Sequence, residues 1–295
     1  MSVGRVTQSM LSHRSLENLQ VGLGRLGQLQ EQLTSGKTIN RPSDSPSGTS
    51  SAMRLRTSMT QVQQFQRAAQ DGASWLSTVD NALTTATDTV RNARELGLQA
   101  VNGAMGQSSR AALAASVDQL RESLIGTANT AYLGRPVFGG VTAGTTAYDA
   151  SGAFVGEPGA VVRTVGDGSR VRVDVGGQDA FGADGDSVFT HLSALSTAIT
   201  AGDDAAVGTA LAALAADLDR LGTAQAEAGT RAARVDQAAQ VAADAELRMK
   251  KDLSAVEDVD LAATVVQLQL QEVAYQAALG ATARVLQPSL REFLR

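Results

Sequence analysis

The chain has 295 residues, 43% of them hydrophobic, and a net charge of -5. That is enough apolar content for two or three modest domains, and it excludes a disordered chain and a basic nucleic-acid surface. Cysteine is absent, which excludes a disulfide framework, a thiolate nucleophile and a cysteine metal site. Aromatics make up only 3%. Alanine and leucine carry the apolar content instead, which suits long, closely packed helices better than a sandwich or barrel core. The start of the chain has no apolar core of signal-peptide length, and no run of about 18 apolar residues occurs, so neither a cleaved leader nor a membrane contact is expected.

Near the N-terminus, Leu16, Leu19, Leu23, Leu26, Gln30 and Leu33 recur at alternating steps of three and four. This spacing makes a narrow apolar seam along a helix, and such a seam needs a partner helix. The arm stops in the turn-rich stretch from Thr34 to Gly48, which includes Gly36, Asn40, Pro42, Ser43, Asp44, Ser45 and Pro46. A second helix follows, with Ala52, Leu55, Met59, Val62, Ala69, Ala73, Leu76, Leu83, Val90 and Ala93 in its stripe, running to about Ala100. Asn102-Gly103 marks its stop. Leu113, Val117, Leu120 and Leu124 predict another helix that ends near Tyr132.

The texture then changes. Residues 134 to 188 hold 13 of the 29 glycines, and residues 132 to 189 hold six of the ten aromatics. Val161–Val165 and Arg170–Val175 read as short strands, with Gly166-Asp167-Gly168-Ser169 as the hairpin turn. A small β-rich insertion of at most about five strands is expected. Helix returns with Leu192, Leu195 and Ile199. A long helix follows, with Val207, Leu211, Leu214, Leu221, Val235, Ala242 and Leu253 on one stripe.

That stripe slips out of phase near Val259, which marks a junction. Beyond it, Val266, Leu270, Val273 and Ala277 form a C-terminal seam. The slip and the Ser35–Gly48 break would lie side by side if the two ends pair antiparallel. The expected fold is mainly α, an elongated helical bundle with terminal coiled-coil arms and a small β-rich inserted domain. Its expected segments are an N-terminal arm (1–35), a helical bundle in two parts (36–133 and 189–255), a β-rich outer domain (134–188) and a C-terminal arm (256–295). The two arms carry +2 (residues 1–40) and -2 (residues 256–295), a mild complementarity that ordinary solvated faces explain equally well. An assembling part is a better reading of this plan than a catalyst.

Four patterns point to chemistry and fail its requirements. Gly22, Gly24 and Gly27 match a dinucleotide fingerprint, but that motif follows a strand and these glycines lie on the helical seam. They make the arm a poor helix in isolation, at about 1 kcal/mol each relative to alanine. Gly36-Lys37-Thr38 lacks the earlier glycine of a phosphate loop, where Glu31 stands. Asp179, Asp184 and Asp186 miss the calcium-loop spacing and its terminal glutamate, and read as a solvated loop. His13 and His191, the two histidines, show no convergent partner, and surface or capping roles are expected for them. No catalytic residue, cofactor or metal is assigned.

Leu33-Thr34-Ser35-Gly36-Lys37-Thr38-Ile39-Asn40 with Pro42-Ser43-Asp44-Ser45-Pro46 resembles the N-terminal signature of the flagellin superfamily of bacterial axial proteins. Ser45 departs from the acidic residue usual there. Arg94–Asn102, Tyr132–Gly140, Tyr275–Leu279 and Gln287–Leu294 resemble the superfamily's hook-associated members more than flagellin. The resemblance covers about residues 1–140 and 190–295 of the chain. It implies an extracellular structural protein of the flagellum at the junction of hook and filament. It also implies export through the flagellar type III apparatus, with a chaperone on the C-terminal arm. Implied partners are further copies, the neighbouring hook-associated protein and flagellin. Leu16, Leu19, Leu23, Leu26, Leu33, Val266, Leu270 and Val273 are the residues expected to pack the arms in the assembly. Flagellin itself is the nearest alternative; a nucleotide-binding enzyme and a cytoplasmic coiled-coil adaptor are more distant ones.

Overall fold

A computed structural model describes residues 8–101 and 105–293. The chain is mainly helical. In order come α1 (Gln8–Ser35), α2 (Pro46–Val101), α3 (Gln107–Ala128), β1 (Ala131–Tyr132), β2 (Arg135–Pro136), β3 (Val162–Gly166), β4 (Ser169–Arg172), α4 (Gly177–Phe181), α5 (Val188–Ala201), α6 (Asp204–Glu257) and α7 (Leu261–Phe293). The stop expected at Asn102-Gly103 lies outside the described residues. Contacts divide the chain into two compact units, Met1–Thr60 with Glu246–Arg295, and Gln61–Ala245. The chain leaves helix near the sequence-derived limits at 35/36 and 255/256, whereas the compact units divide within α2 and α6.

Helix boundaries follow local chemistry. Asp44 accepts hydrogen bonds from the backbone N–H groups of Asn40 and Arg41, at 3.1 and 2.8 Å, which folds the turn after α1. Ser45 then caps α2: its Oγ accepts from Gly48 N at 3.1 Å, and Pro46 occupies the first helical position, where no N–H is needed. The serine that departs from the superfamily signature thus has a structural use. Asp203 and Asp260 do the same for α6 and α7, accepting from Ala206 N and Ala263 N.

The unit Gln61–Ala245 holds the main core. Leu76, Val79, Leu83 and Val90 of α2 pack with Leu124 of α3, Leu192 and Leu195 of α5, and Leu214 and Leu221 of α6, all buried. Gly97 lets α2 approach closely, since a Cβ there would meet Leu211 at 2.8 Å and Leu195 at 3.1 Å. Trp75, the single tryptophan, is 1% exposed, with the Tyr132 ring edge-on at 5.7 Å and the guanidinium groups of Arg135 and Arg163 near its ring. Asp71 anchors this cluster from α2, accepting from Arg163 Nε at 2.6 Å and from the Tyr132 hydroxyl at 3.3 Å.

One expectation changes here and another holds. The third helix ends at Ala128, not near Tyr132, because Asn129 leaves the helix to bind a loop. Its side-chain oxygen accepts from Ala147 N and Tyr148 N, and its amide donates to Tyr148 O. The glycine-rich segment carries short strand pairs, within the expected limit of about five strands. Among the described residues it contributes the β3–β4 hairpin, and the small β1–β2 hairpin falls at its start. Side chains satisfy much of the remaining loop backbone. Asp149 accepts from the backbone of Ser151 and Ala153, and buried Asp174 accepts from Val161 N and pairs with Arg172. These bonds, that to the Ser151 hydroxyl first, hold the Asp149 carboxyl below its ordinary pKa. Phe138, Tyr148, Phe154, Phe181 and Phe189 pack ring to ring beneath the loops, with centroids 5.0 to 5.7 Å apart.

Candidate assembly surfaces

In the unit formed by the two chain ends, α1 and α7 pair antiparallel. Gly22 faces the Tyr275 ring and Gln271, whose amide donates to Gly22 O at 3.3 Å. Toward the C-terminal end of α1 the two breaks meet: Val259 N donates to Gly36 O at 3.0 Å, Thr38 N donates to Glu257 O at 2.6 Å, and Lys37 bridges Asp258. Gly36 adopts φ +70°, a left-handed conformation that ends α1 and turns its carbonyl to this contact. The loop after α1 and the phase slip before α7 thus form one structural feature.

That junction holds a buried carboxylate. The Glu257 side chain is 6% exposed and accepts from Lys37 Nζ at 3.1 Å and Arg56 Nη2 at 2.7 Å. It sits at the last residue of α6, where the helix dipole disfavours negative charge, and the two cations offset that. The weak complementarity of the arm charges therefore concentrates in one pair, Lys37–Glu257, extended by Arg56, which periodicity does not reveal. We expect Glu257→Gln to lower stability by about 1–3 kcal/mol. It should also speed amide exchange at Thr38 and Val259 ahead of the core, which hydrogen-exchange mass spectrometry reads.

The eight sequence-selected residues separate into two groups. Leu19, Leu26 and Leu33 are half-buried and stand at three- and four-residue steps on the Gly22 face of α1. Leu16 and Leu23, each 55% exposed, are open to solvent. In α7 the paired face is not the Val/Leu seam. It consists of Thr264, Leu268, Gln271 and Tyr275, which are buried or half-buried. Val266 (56%), Leu270 (66%) and Val273 (65%) are exposed, as are Leu261 and Val265. The physical reason lies in Gly22, which admits a ring and an amide at close range and so selects the Tyr275/Gln271 face. One partner helix covers one face, and the more apolar stripe is left outside. A tyrosine facing a glycine across two seams is a tertiary match, invisible to periodicity in either helix alone.

The other candidate sites resolve as structural features. Gly22, Gly24 and Gly27 lie inside α1, with no preceding strand among the described residues. His13 is exposed. His191 is not a surface or capping residue: its Nδ1 lies 2.7 Å from Asp217 Oδ2 and its Nε2 3.2 Å from Asp186 Oδ1, and Arg220 pairs with both carboxylates. Burial raises the Asp217 pKa, opposed by the hydrogen bond from His191 and by Arg220. This cluster ties the start of α5 to α6. Asp184 accepts from Phe154 N, so the acidic loop braces its neighbours.

Similarities to known proteins agree with this geometry. The family model for the bacterial flagellin N-terminal helical region matches residues 6–143. Flagellar hook-associated protein 3 of Escherichia coli (strain K12) is 28% identical over 283 residues, 84% of this chain and 86% of that one. Polar flagellin F of Vibrio parahaemolyticus is 35% identical over 109 residues, covering 37% of this chain and 29% of its own. The crystal structure of Bacillus cereus FlgL superposes with a TM-score of 0.60 at 21% identity, over 68% of this chain and 99% of that one. The chain is thus similar to flagellin over its N-terminal region. Over nearly its full length it is similar to flagellar hook-associated protein 3.

Proposed function

We propose that this protein is a structural subunit of the bacterial flagellum that joins hook to filament, and that it polymerises through its terminal arms. The observation that carries this reading is the extent of similarity: hook-associated protein 3 matches across most of both chains, whereas the flagellin match covers 37% of this one. Assembly proceeds by heterologous contacts, in which one surface of a subunit meets a different surface of the next. Leu16, Leu19, Leu23, Leu26, Leu33, Val266, Leu270 and Val273 form the arm packing. The exposed α7 stripe supports an intermolecular role, because a lone chain gains nothing by leaving Val and Leu in water while burying Thr264 and Gln271. The functional segments are arms 1–35 and 256–295, bundle parts 36–133 and 189–255, and an outer domain at 134–188. The role is mechanical and non-catalytic. The subunit works outside the cell, reaches its place through the flagellar type III apparatus, and has a chaperone on its C-terminal arm beforehand. Its neighbours are its own copies, another hook-associated protein and flagellin.

Deletion of residues 1–35 tests this. The truncated chain is expected to keep a folded Gln61–Ala245 core, read by circular dichroism, and to be absent from isolated flagella. Its normal incorporation would sink the proposal. The flagellin alternative draws on the flagellin family-model match, and abundance separates the two: labelling along whole filaments means flagellin, and labelling confined to the filament base means a junction protein.

A further inference from the structure

The β1–β2 hairpin carries an unusual side chain at its tip. Leu133 has φ +49°, the only positive φ of a non-glycine residue among those described, and Gly134 follows at +80°. Two central residues at positive φ are the pattern of a type I′ turn, which favours asparagine, aspartate or glycine in the first place, not a bulky leucine. Leu133 is also 83% exposed, the most exposed large apolar side chain among the described residues. A leucine here is unfavourable twice, in its backbone and in its hydration. Below the tip the hairpin is fixed. Tyr132 stands edge-on to Trp75 and donates to Asp71, Val137 N donates to Thr130 O, and Pro136 is buried. The leucine is therefore held out on a rigid mount, and the Arg135 guanidinium beside it lies 5.9 Å from the Trp75 ring.

The same compact unit has an open groove of about 550 Å³ along α5 and the start of α6, floored by Ala194, Ala198, Ala201 and Ala206 with Thr197 and Asp203 beside them. Asp203 and Asp204 sit at one end, near Arg110, and Arg121 at the other is bound to the carbonyls of Phe189 and Ser151. Leu133, 83% exposed, is not part of the groove of its own chain. A second groove, with Val62, Phe65 and Val241 in its lining, is more apolar, but Arg170 and Arg234 outnumber Asp167 on its border and would face Arg135.

We propose that Leu133 of one subunit inserts into the Ala194–Ala206 groove of a second copy, with Arg135 approaching Asp203 and Asp204. The charges select this groove over the Arg-lined one, and a knob and groove at different places on one chain make a heterologous contact that propagates from copy to copy. The inference rests on the reading of the protein as an axial subunit. The chain has no cysteine, so engineered thiols report the contact cleanly. In isolated flagella, the full chain carrying Leu133→Cys and Ala194→Cys is expected to form a disulfide-linked ladder on oxidation, which neither single variant forms. Incorporation without a ladder, a dimer from Leu133→Cys alone, or a ladder only when Leu133→Cys is combined with Val241→Cys overturns the proposal and leaves the axial reading intact. Absence of the unmodified chain from flagella overturns both. Leu133→Asn supplies the converse. Asparagine accepts left-handed φ, so the melting temperature should hold or rise while incorporation falls at least tenfold; unchanged incorporation overturns the proposal.

Discussion

Leu270→Asp combined with Val273→Asp should leave the isolated chain as stable as the unmodified one and abolish its incorporation into flagella. Both side chains are about two-thirds exposed, at 66% and 65%, and surface substitutions of that kind change stability by no more than about 0.5 kcal/mol. Full burial of such a side chain is worth about 1.5–3 kcal/mol. Covering two that start two-thirds exposed therefore contributes about 2–4 kcal/mol per subunit, roughly 30- to 700-fold in affinity per contact. Two carboxylates in the same place add a desolvation penalty. Matched melting curves with loss from sheared flagella is the expected pair of results. A lower melting temperature would mean that the stripe is buried within the single chain. Full incorporation would mean that assembly uses another face. The control is Tyr275→Ala, which removes the ring against Gly22 and should loosen the α1–α7 pair in the isolated chain.

Trp75→Ala is expected to have the largest effect on stability, a loss of about 3–5 kcal/mol. Trp75 is 1% exposed and is the point where α2 meets both hairpins, through Tyr132, Arg135 and Arg163. Removing the indole opens a cavity that the hairpins cannot fill without breaking the Asp71 bonds to Arg163 and Tyr132. Urea unfolding followed by far-ultraviolet circular dichroism measures the change. In the unmodified chain the same residue is the single tryptophan, so its fluorescence follows hairpin docking directly. A loss below about 1 kcal/mol would show that the hairpins are held by other contacts.

Much of the plan was legible in the residues. The three-four spacing of α1, α2 and α6 specifies long helices with one apolar stripe each, because helix period and side-chain direction are local properties. The break between Thr34 and Gly48 is local as well; the structure adds that Ser45 and Pro46 within it start α2. The β3–β4 hairpin was readable from alternation around Gly166–Ser169, and it forms with Gly168 at φ +69°. The side-by-side placement of the two breaks followed from the arm lengths once antiparallel pairing was assumed, and the structure supplies that pairing.

The faces were a different matter. Periodicity counts apolar side chains and assumes that they turn inward, which holds when a helix has one partner. In α7 the inward face was set by Gly22 on the other helix, whose missing side chain admits Tyr275 and Gln271. Val266, Leu270 and Val273 were left outside. Burial of Glu257 between Lys37 and Arg56, and the pairing of His191 with Asp217, arose in the same way, from groups far apart in the chain. The sequence by itself determined the long helices and most of their ends, because those depend on contacts within a few residues. Tertiary structure alone decided which side of each arm is covered and which stays exposed, because that depends on the shape of a partner surface dozens to hundreds of residues away.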